Sequence, residues 1–239
     1  MRAGSRPAPA PRVAALSELP VTADVVVIGA GLVGAATAAA LAVSGRRVCV
    51  VDRVVAQRLG SALPVRPRRG HILVTEPVPA VIRHKVYEAD YVGTVVSDAA
   101  GRQCSAVVEG TAAGTVLIGS SRDVAGFSAR PDPAALAEMA RRAISLFPFL
   151  AAVRAIRAYT GFRPASPDHL PVIGADPAVP GLFHATGHEG AGIGLAPATA
   201  ELITALIDGA RPPVDAAPFA PARFGPAFPP LSAWRGDGP

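Results

Sequence analysis

Residues 24–52 have the sequence DVVVIGAGLVGAATAAALAVSGRRVCVVD, and their pattern decides the fold of this part of the chain. Residues 24–28 and 47–51 predict two apolar strands, and 32–44 predicts a helix that Gly45 closes. Within this segment, residues 25–43 carry no charge and are about as long as a membrane span. The glycines near the start of this run, and the aspartates at positions 24 and 52, favour a βαβ unit instead. Strands of a parallel sheet, covered on both faces, have the same hydropathy.

The turn between the first strand and the helix has the sequence GAGLVG. In such a turn the first glycine allows the bend, the second lets the backbone approach a pyrophosphate, and the third allows close packing of helix and strand. The helix N-terminus adds partial positive charge. These features predict a dinucleotide site, and the alternative is a glycine-rich turn without a ligand. The residues predicted to bind the cofactor are Gly29, Ala30, Gly31, Leu32, Val33 and Gly34.

An acidic residue follows at the end of the second predicted strand. Asp52 lies 18 residues after Gly34, at the position from which a carboxylate hydrogen-bonds an adenosine ribose. Asp52 and the adjacent Arg53 therefore join the predicted cofactor site. The Rossmann pattern then stops, because the further strand–helix repeats of a complete nucleotide-binding sheet do not follow.

A second glycine-rich turn, HATGHEGAGIG at residues 184–194, leads into a predicted helix that ends near Ile207. Its backbone N–H groups and the helix dipole favour negative charge on a ligand. NAD requires one such turn, whereas FAD, which has a pyrophosphate and a ring that becomes anionic on reduction, gives a reason for two. The alternative role for the side chain of His188 is a hydrogen bond that only stabilises the turn. The residues predicted to bind the cofactor here are His188, Glu189, Gly190, Ala191, Gly192 and Ile193.

A third segment, GFRPASPDHLPVIG at residues 161–174, contains an arginine among apolar and turn residues. The guanidinium of Arg163 suits bidentate binding of a carboxylate. The alternative is a salt bridge to Asp168 that fixes a loop. Asp168 and His169 are interpreted as a turn, and the sequence shows no catalytic triad and no metal-ligand cluster.

Charge and cysteine content exclude several classes of function. The net charge is +5, but 22 of the 23 basic residues are arginines, and they are scattered without interleaved aromatic residues. This pattern favours compositional bias over nucleic-acid binding. Cys49 and Cys104 have no metal or redox spacing, and no apolar signal-peptide core precedes residue 21. We therefore expect a cytoplasmic protein without a membrane span.

The middle of the chain contains short β-rich runs separated by turn residues, which is typical of an antiparallel sheet. Asp132 followed by Pro133 predicts a helix that continues to about Leu146. The predicted strands are 70–75, 91–97, 105–109, 115–119, one or two near 154–162, and 182–185.

The expected fold class is α/β with α+β character, formed by a truncated Rossmann-type FAD-binding unit and a mixed or antiparallel substrate sheet with helices. The N-terminal and C-terminal segments are rich in proline and show neither helix nor strand periodicity, which favours mobile tails. The alternative for residues 214–219 is a strap that packs on the rest of the chain. The predicted organisation is an N-terminal tail at 1–20, an FAD-binding unit at 21–60 and 175–210, a substrate domain at 61–174 and a proline-rich tail at 211–239.

The three motifs, in this order, resemble the FAD-dependent amine and amino-acid oxidoreductases of the D-amino-acid oxidase superfamily. That group includes glycine oxidase, the sarcosine oxidase β subunit, hydroxyproline dehydrogenase and hydrogen cyanide synthase subunits. The resemblance covers about residues 22–210 and includes PRRGHILVTEP at 67–77, VLIGSS at 116–121 and GF at 126–127.

The resemblance implies an FAD domain, a substrate domain and hydride transfer to flavin N5 from the carbon beside a neutral amine, giving an imine that hydrolyses. It implies that Arg163 binds the substrate carboxylate and that residues 188–193 lie against the flavin pyrimidine edge. Because dye-linked members of the family work in hetero-oligomers, it also implies partner subunits.

One departure from the family is large. A long block that normally separates the ribose-binding acid from the stretch resembling 58–67 is missing after Asp52 and Arg53, and with it much of one wall of the FAD cleft. The alternative function is therefore a catalytically inactive homologue that acts as a non-enzymatic subunit. An NAD(P)-dependent dehydrogenase is disfavoured by the second glycine turn and by the absence of further Rossmann repeats.

Overall fold

The computed structural model describes residues 22–51, 63–95, 97 and 101–225. The predicted N-terminal tail, Asp52, Arg53 and the predicted helical turn at 54–60 lie outside the described residues. The described residues form two compact units. The first unit contains the residues up to Pro64 and those from Leu170 onward, and the second contains Val65–His169.

The first unit begins with the predicted βαβ element. Strand β1 spans Val25–Ile28, helix α1 spans Leu32–Val43 and strand β2 spans Val48–Val51. The two strands pair in parallel, with Val27 opposite Val50. Helix α1 ends at Val43 with Ser44 as its cap, and the next residue, Gly45, has a φ of +90°, the left-handed conformation that glycine adopts readily after a helix. The prediction of a βαβ unit is thus confirmed.

The rest of the first unit is a hairpin followed by a long helix. Strands β8 (Val172–Ala175) and β9 (Phe183–Thr186) pair antiparallel, and helix α4 spans Gly192–Asp208. Helix α4 packs against α1 and against both strands of the hairpin. By length and apolar composition, Glu189–Asp208 is also a candidate membrane span. A core helix has the same composition, and Leu202 and Ile203 of α4 form a buried cluster with Ile173 of β8.

Residues 211–225 pack on the first unit. Two 3-10 turns, Ala217–Phe219 and Pro221–Phe224, follow α4. Phe219 contacts the buried cluster on β8 and α4, and the guanidinium of Arg223 donates a hydrogen bond to the Leu170 carbonyl at 3.0 Å. The described part of the C-terminal segment therefore packs on the first unit, against the favoured expectation of a mobile tail, and it packs as 3-10 turns.

The second unit is a five-stranded sheet with a helix across one face. Neighbouring strands pair antiparallel in the order β4-β5-β6-β3-β7. The core includes Leu73, Val108 and Ile118 of the strands and Met139 of helix α3, which spans Pro133–Leu146. The strands are β3 (Arg66–Thr75), β4 (Val86–Tyr87), β5 (Gln103–Gly110), β6 (Val116–Arg122) and β7 (Ala155–Ala165).

Helix α3 spans Pro133–Leu146 and begins as predicted. The carboxylate of Asp132 accepts a hydrogen bond from the backbone N–H of Ala134 at 2.9 Å, and Pro133 is the first helical residue. A 3-10 turn at Pro148–Ala152 follows the helix. The cap satisfies one of the backbone donors that a helix leaves free at its start.

Two predictions for the second unit are wrong. Residues 91–97 were expected to form a strand because β-branched residues dominate them, but Tyr91–Val95 is helix α2. The position beside β5 at the sheet edge is occupied by Val86–Tyr87 of β4 instead, so tertiary packing overrides local propensity. In addition, β3 begins at Arg66, before the expected start at Gly70, and includes Pro67.

Candidate functional site

The three glycines of the first turn have distinct structural roles. Gly29 has a φ of +103°, which permits the bend after β1. A Cβ on Gly34 would lie 1.9 Å from the carbonyl oxygen of Gly29, so α1 can start this close to the strand only with glycine there. At Gly31 a Cβ would meet no atom within 4 Å. The space beside Gly31 is open, as a turn that receives a pyrophosphate requires.

The second turn has a less common backbone conformation. Gly187 has a φ of +77° and Glu189 a φ of +47°. A positive φ in a non-glycine residue costs free energy and is frequent at ligand-binding turns. A 3-10 turn at Glu189–Ala191 leads directly into α4, and the Ala191 N–H donates to the His188 carbonyl at 3.0 Å.

The side chain of His188 points into the first unit. It is 5% exposed, and its Nε2 lies 2.9 Å from the hydroxyl of Thr199 on α4. Burial lowers the pKa of this imidazole, so the neutral form is favoured. A Cβ on Gly192 would lie 3.4 Å from the Cβ of His188. The side chain thus holds the turn on α4, which leaves the backbone of 188–193 as the part that can face a ligand.

Helices α1 and α4 begin at the same end of the first unit. They pack side by side, and Arg46, which follows α1, forms a salt bridge with Asp208, the last residue of α4. Since the C-terminal ends of the two helices meet, the helices run in the same direction. Both glycine turns, each at a helix N-terminus with partial positive charge, therefore lie at one end of the unit. This arrangement fits the two anionic parts of FAD.

The open sheet of the first unit does not extend beyond β1 and β2 in the described residues. The Cγ1 of Val27 would lie 3.5 Å from a Cβ on Gly34, so Val27 faces α1. Val26 and Ile28 alternate to the other face, where they are 54% and 38% exposed. An apolar parallel sheet is normally covered on both faces. The described residues leave this face of the sheet uncovered.

Arg163 lies on a strand and not on the expected loop. It is part of β7 in the second unit, where its backbone is opposite Arg68 of β3. Its Nη1 donates a hydrogen bond to the Ser121 carbonyl at 3.0 Å. A Cβ on Gly70 would lie 2.3 Å from Nη1 and 2.9 Å from both Cζ and Nη2. The guanidinium therefore occupies the space that the missing side chain of Gly70 leaves.

A buried ion pair fixes the chain next to this arginine. The guanidinium of Arg69 and the carboxylate of Asp123 are 2.8 Å apart, with side chains 10% and 12% exposed. Arg69 also donates hydrogen bonds to the carbonyls of Ser128 at 3.3 Å and Arg130 at 2.9 Å. This network raises the pKa of Arg69, mainly through its hydrogen bonds to Asp123. Segment 123–130 is thereby held against β3.

His71 connects three elements behind the arginine. It is fully buried, and its Nδ1 lies 2.7 Å from the Ser121 hydroxyl. Its Nε2 accepts a hydrogen bond from the backbone N–H of Asp132 at 3.0 Å, so the proton of the neutral ring is on Nδ1. Burial lowers the pKa of His71. The sequence did not single out Gly70, His71 or Ser121, although all three lie in stretches that carry the family resemblance.

Comparison with known proteins agrees with these features. The family described as DAO, FAD dependent oxidoreductase, matches residues 53–206, which include Arg163 and the second glycine turn but not the first. The chain is 39% identical to a Pseudomonas putida glycine oxidase over 108 residues, which are 45% of this chain and 30% of that protein. It is 31% identical to the hydrogen cyanide synthase subunit HcnC of Pseudomonas aeruginosa over 167 residues, 70% of this chain and 36% of that subunit.

The fold has solved counterparts of similar architecture. A glycine oxidase from Geobacillus kaustophilus superimposes with a TM-score of 0.60 at 25% sequence identity, over 75% of this chain and 47% of that one. The chain spans about a third of the length of the curated relatives that it matches.

Proposed function

We propose that this chain, which belongs to the FAD dependent oxidoreductase family, oxidises the C–N bond of an amino acid or secondary amine to an imine by hydride transfer to FAD. The observation that carries the proposal is the placement of two glycine turns, at the N-termini of α1 and α4, at one end of the first unit. A dinucleotide with a second anionic part gives a reason for both turns.

The residues available to hold FAD are those of the two turns. The backbone at Gly29–Gly34 would bind the pyrophosphate, since Gly31 leaves open space and Gly29 provides the bend. The backbone of residues 188–193 would lie against the flavin, with the side chain of His188 holding the turn in place. Asp52 would bind the ribose and lies outside the described residues. When bound, FAD supplies the hydride acceptor that no amino-acid side chain can replace.

In the second unit, Arg163 is the proposed group for the substrate carboxylate. A guanidinium binds a carboxylate through two parallel hydrogen bonds, which fixes the orientation of the α-carbon. Gly70 provides the space for this guanidinium and the Ser121 carbonyl holds one of its nitrogens. The neutral ring of His71 in turn holds the Ser121 hydroxyl. These residues bind and orient, and the proposal requires no protein acid or base.

The second candidate function is that of a non-enzymatic subunit derived from such an enzyme. The exposed apolar face of the β1–β2 sheet, with Val26 and Ile28 uncovered, is the observation that favours it. A partner chain is a further proposal, and one relative, the HcnC protein, carries the name of a subunit.

The two candidates differ in what happens to bound flavin. The full chain is incubated with FAD, desalted and made anaerobic, and glycine, sarcosine or proline is then added. Loss of the absorbance near 450 nm, a band position that is about the same for any bound oxidised flavin, supports the oxidoreductase. A protein that retains FAD but keeps this absorbance with each of these amines supports the non-enzymatic subunit.

A further inference from the structure

Strand β7 forms one edge of the five-stranded sheet, since the strand order ends with it. It spans 11 residues, Ala155–Ala165, and pairs with β3 along one side. Within the described part of the chain, no other strand or turn hydrogen-bonds to the backbone of 155–162 on its other side. The opposite edge of the sheet is shorter, because β4 has only 2 residues. A long open edge is a template for pairing with another chain.

The hydrogen bonds of β3 show which backbone groups of β7 point outward. The backbone N–H groups of Arg69 and His71 donate at 2.9 and 3.0 Å to acceptors at the end of β6, so both point away from β7. Register partners in an antiparallel pair alternately exchange two hydrogen bonds and none. Phe162 and Thr160, the partners of these two residues, therefore direct their N–H and C=O groups to the open edge. By the same alternation, so does Ala158.

Apolar side chains with large exposed fractions lie along this edge. Ile156 is 60% exposed and Tyr159 is 41% exposed. Phe127 is 69% exposed, and its ring contacts that of Phe162 with the centroids 5.6 Å apart. Natural edge strands are usually protected by charges, prolines or short length. Residues 155–162 contain no proline and one charged residue, Arg157, so this edge has little of that protection.

A second copy of this chain fits the edge in an antiparallel register centred on Tyr159. With a two-fold axis at this residue, each tyrosine lies opposite the same tyrosine of the second copy. Ala158 then lies opposite Thr160 of the second copy, and their outward backbone groups exchange hydrogen bonds. Ile156 lies opposite Phe162 of the second copy. Cross-strand pairs of aromatic and β-branched residues stabilise a sheet.

The arginines of β7 favour the same register. Arg157 lies opposite Gly161 in this arrangement, and Arg163 lies opposite Ala155, so neither guanidinium faces another. A Cβ on Gly161 would meet no atom within 4 Å, which leaves room for the arginine of the second copy. Moving the axis by one residue toward the C-terminal end would place Arg157 opposite Arg163, and like charges directly opposite each other are destabilising.

We propose that the open edge of β7 is a homodimer interface, in which two copies of this chain pair antiparallel through residues 155–162. The pairing joins the two five-stranded sheets into one continuous sheet. It covers the exposed side chains of Ile156 and Tyr159 and removes both open edges. The interface requires no flavin, so it holds or fails independently of the proposed function.

Sedimentation of the full chain at several concentrations measures the dimer. We expect a mass of two chains above about 10 µM, as an interface of micromolar affinity gives. Tyr159→Lys places two like charges on the axis and should raise the dimer Kd by at least about tenfold. Tyr87→Lys is the matched control, since Tyr87 is 53% exposed on β4 at the other edge, and it should leave the Kd unchanged.

Two results of this measurement would overturn the proposal. One is a full chain that stays monomeric up to about 100 µM, which would leave the edge to a different partner or to none. The other is a dimer that Tyr159→Lys and Tyr87→Lys weaken equally, because the two copies would then meet through another surface.

Mixing two charge variants tests whether Tyr159 lies on the axis. Tyr159→Lys and Tyr159→Glu should each be monomeric at about 10 µM, because each substituted residue meets its own charge. An equimolar mixture of the two should form dimers, since opposite charges then face each other. A mixture that stays monomeric while the unaltered chain dimerises would contradict the register.

Disulfide cross-linking supplies a readout that does not depend on the folding of a charged variant. Tyr159 directs its backbone groups toward β3, so across the axis it forms a pair without hydrogen bonds, in which the Cα atoms are about 4.5 Å apart. This spacing is within the range of a disulfide. Mild oxidation should therefore link Tyr159→Cys into a covalent dimer. Tyr87→Cys and the unaltered chain, which has free Cys49 and Cys104, should remain unlinked. No link in Tyr159→Cys, or an equal link in Tyr87→Cys, would overturn the interface.

Discussion

The Nε of Arg46 donates a hydrogen bond to the carboxylate of Asp208 at 2.9 Å. Arg46 follows the last turn of α1 and Asp208 ends α4, so this contact joins the C-terminal ends of two helices that are far apart in sequence. The opposite ends of the same helices begin at the two glycine turns. The contact between Arg46 and Asp208 therefore shows that the two glycine turns lie together at the other end of the unit.

The Arg46–Asp208 pair should contribute modestly to stability. Its side chains are 33% and 31% exposed, and ion pairs near the surface are worth about 0–1 kcal/mol. A double-mutant cycle with Arg46→Gln and Asp208→Asn, measured by denaturant unfolding, should give a coupling energy below about 1 kcal/mol that decreases as salt is added. A coupling above about 2 kcal/mol, independent of salt, would show that the contact is not a screened surface pair.

Replacement by alanine should have different effects at two glycines of the first turn, on FAD affinity at one and on stability at the other. Gly31→Ala meets no atom within 4 Å, so the apoprotein should keep its stability while FAD affinity falls by about tenfold or more through crowding of the pyrophosphate. Gly34→Ala places a Cβ 1.9 Å from the Gly29 carbonyl oxygen and should destabilise the apoprotein itself, by about 1–3 kcal/mol. Thermal unfolding and FAD titration of both variants measure the two effects. Unchanged FAD affinity in Gly31→Ala would show that this turn does not bind the cofactor.

Gly70 should control the position of the Arg163 guanidinium. Gly70→Ala should raise KM for carboxylate substrates, or weaken acetate binding, by about tenfold, because its Cβ would meet the guanidinium at 2.3 Å. The control is Gly161→Ala, since Gly161 is the register partner of Gly70 and a Cβ there meets nothing within 4 Å. The same loss of affinity in both variants would indicate a general effect on the sheet.

Replacing Arg163 by lysine should weaken carboxylate binding although the charge is kept. Lysine cannot form the planar two-bond contact that a guanidinium makes with a carboxylate. Arg163→Lys should therefore raise KM for amino-acid substrates by about tenfold or more, with a smaller effect on kcat. Steady-state kinetics with an artificial electron acceptor measure both constants. An unchanged KM in Arg163→Lys would show that Arg163 does not bind the substrate carboxylate.

Stability should decrease as the pH falls below about 6.5, the usual pKa of histidine. The pKa values of His71 and His188 are lowered in the folded protein by burial, so the unfolded chain takes up protons at a higher pH than the folded one. The free energy of unfolding is therefore greatest above pH 6.5 and declines as the pH approaches the folded-state pKa values.

Denaturant unfolding at several pH values between 7.5 and 5 measures this slope. His71→Gln should be less stable at neutral pH by about 1–3 kcal/mol, since the part-buried Asp132 N–H loses its acceptor and the Ser121 hydroxyl keeps only its bond from the residue 71 backbone N–H. It should also show a shallower pH dependence than the unaltered chain. An identical slope in the two proteins would mean that His71 does not titrate differently on folding.

Local patterns were sufficient for elements that depend on neighbours in sequence. The two strands and the helix of the βαβ unit, with Gly45 at the helix end, follow from hydropathy and one turn residue. The Asp132 cap with Pro133 likewise places the start of α3 without knowledge of the rest of the fold. In each case the signal and the structure it specifies lie within a few residues.

Elements and contacts that depend on distant partners could not be predicted. Residues 91–95 have strand-forming composition, yet they form α2 because β4 takes the place beside β5. The contacts within the candidate site could not be predicted for the same reason. The contact of the Arg163 guanidinium with Gly70 and the bond between His71 and Ser121 join residues 93 and 50 positions apart, and both depend on how β3 pairs with β6 and β7.

The most direct test of the central claim is FAD retention by the purified full chain. After incubation with FAD and removal of the free cofactor, the protein should show absorbance bands near about 375 and 450 nm, and its thermal unfolding temperature should rise with FAD concentration. A colourless protein whose unfolding temperature FAD does not change would contradict the assignment of the two glycine turns to a flavin site.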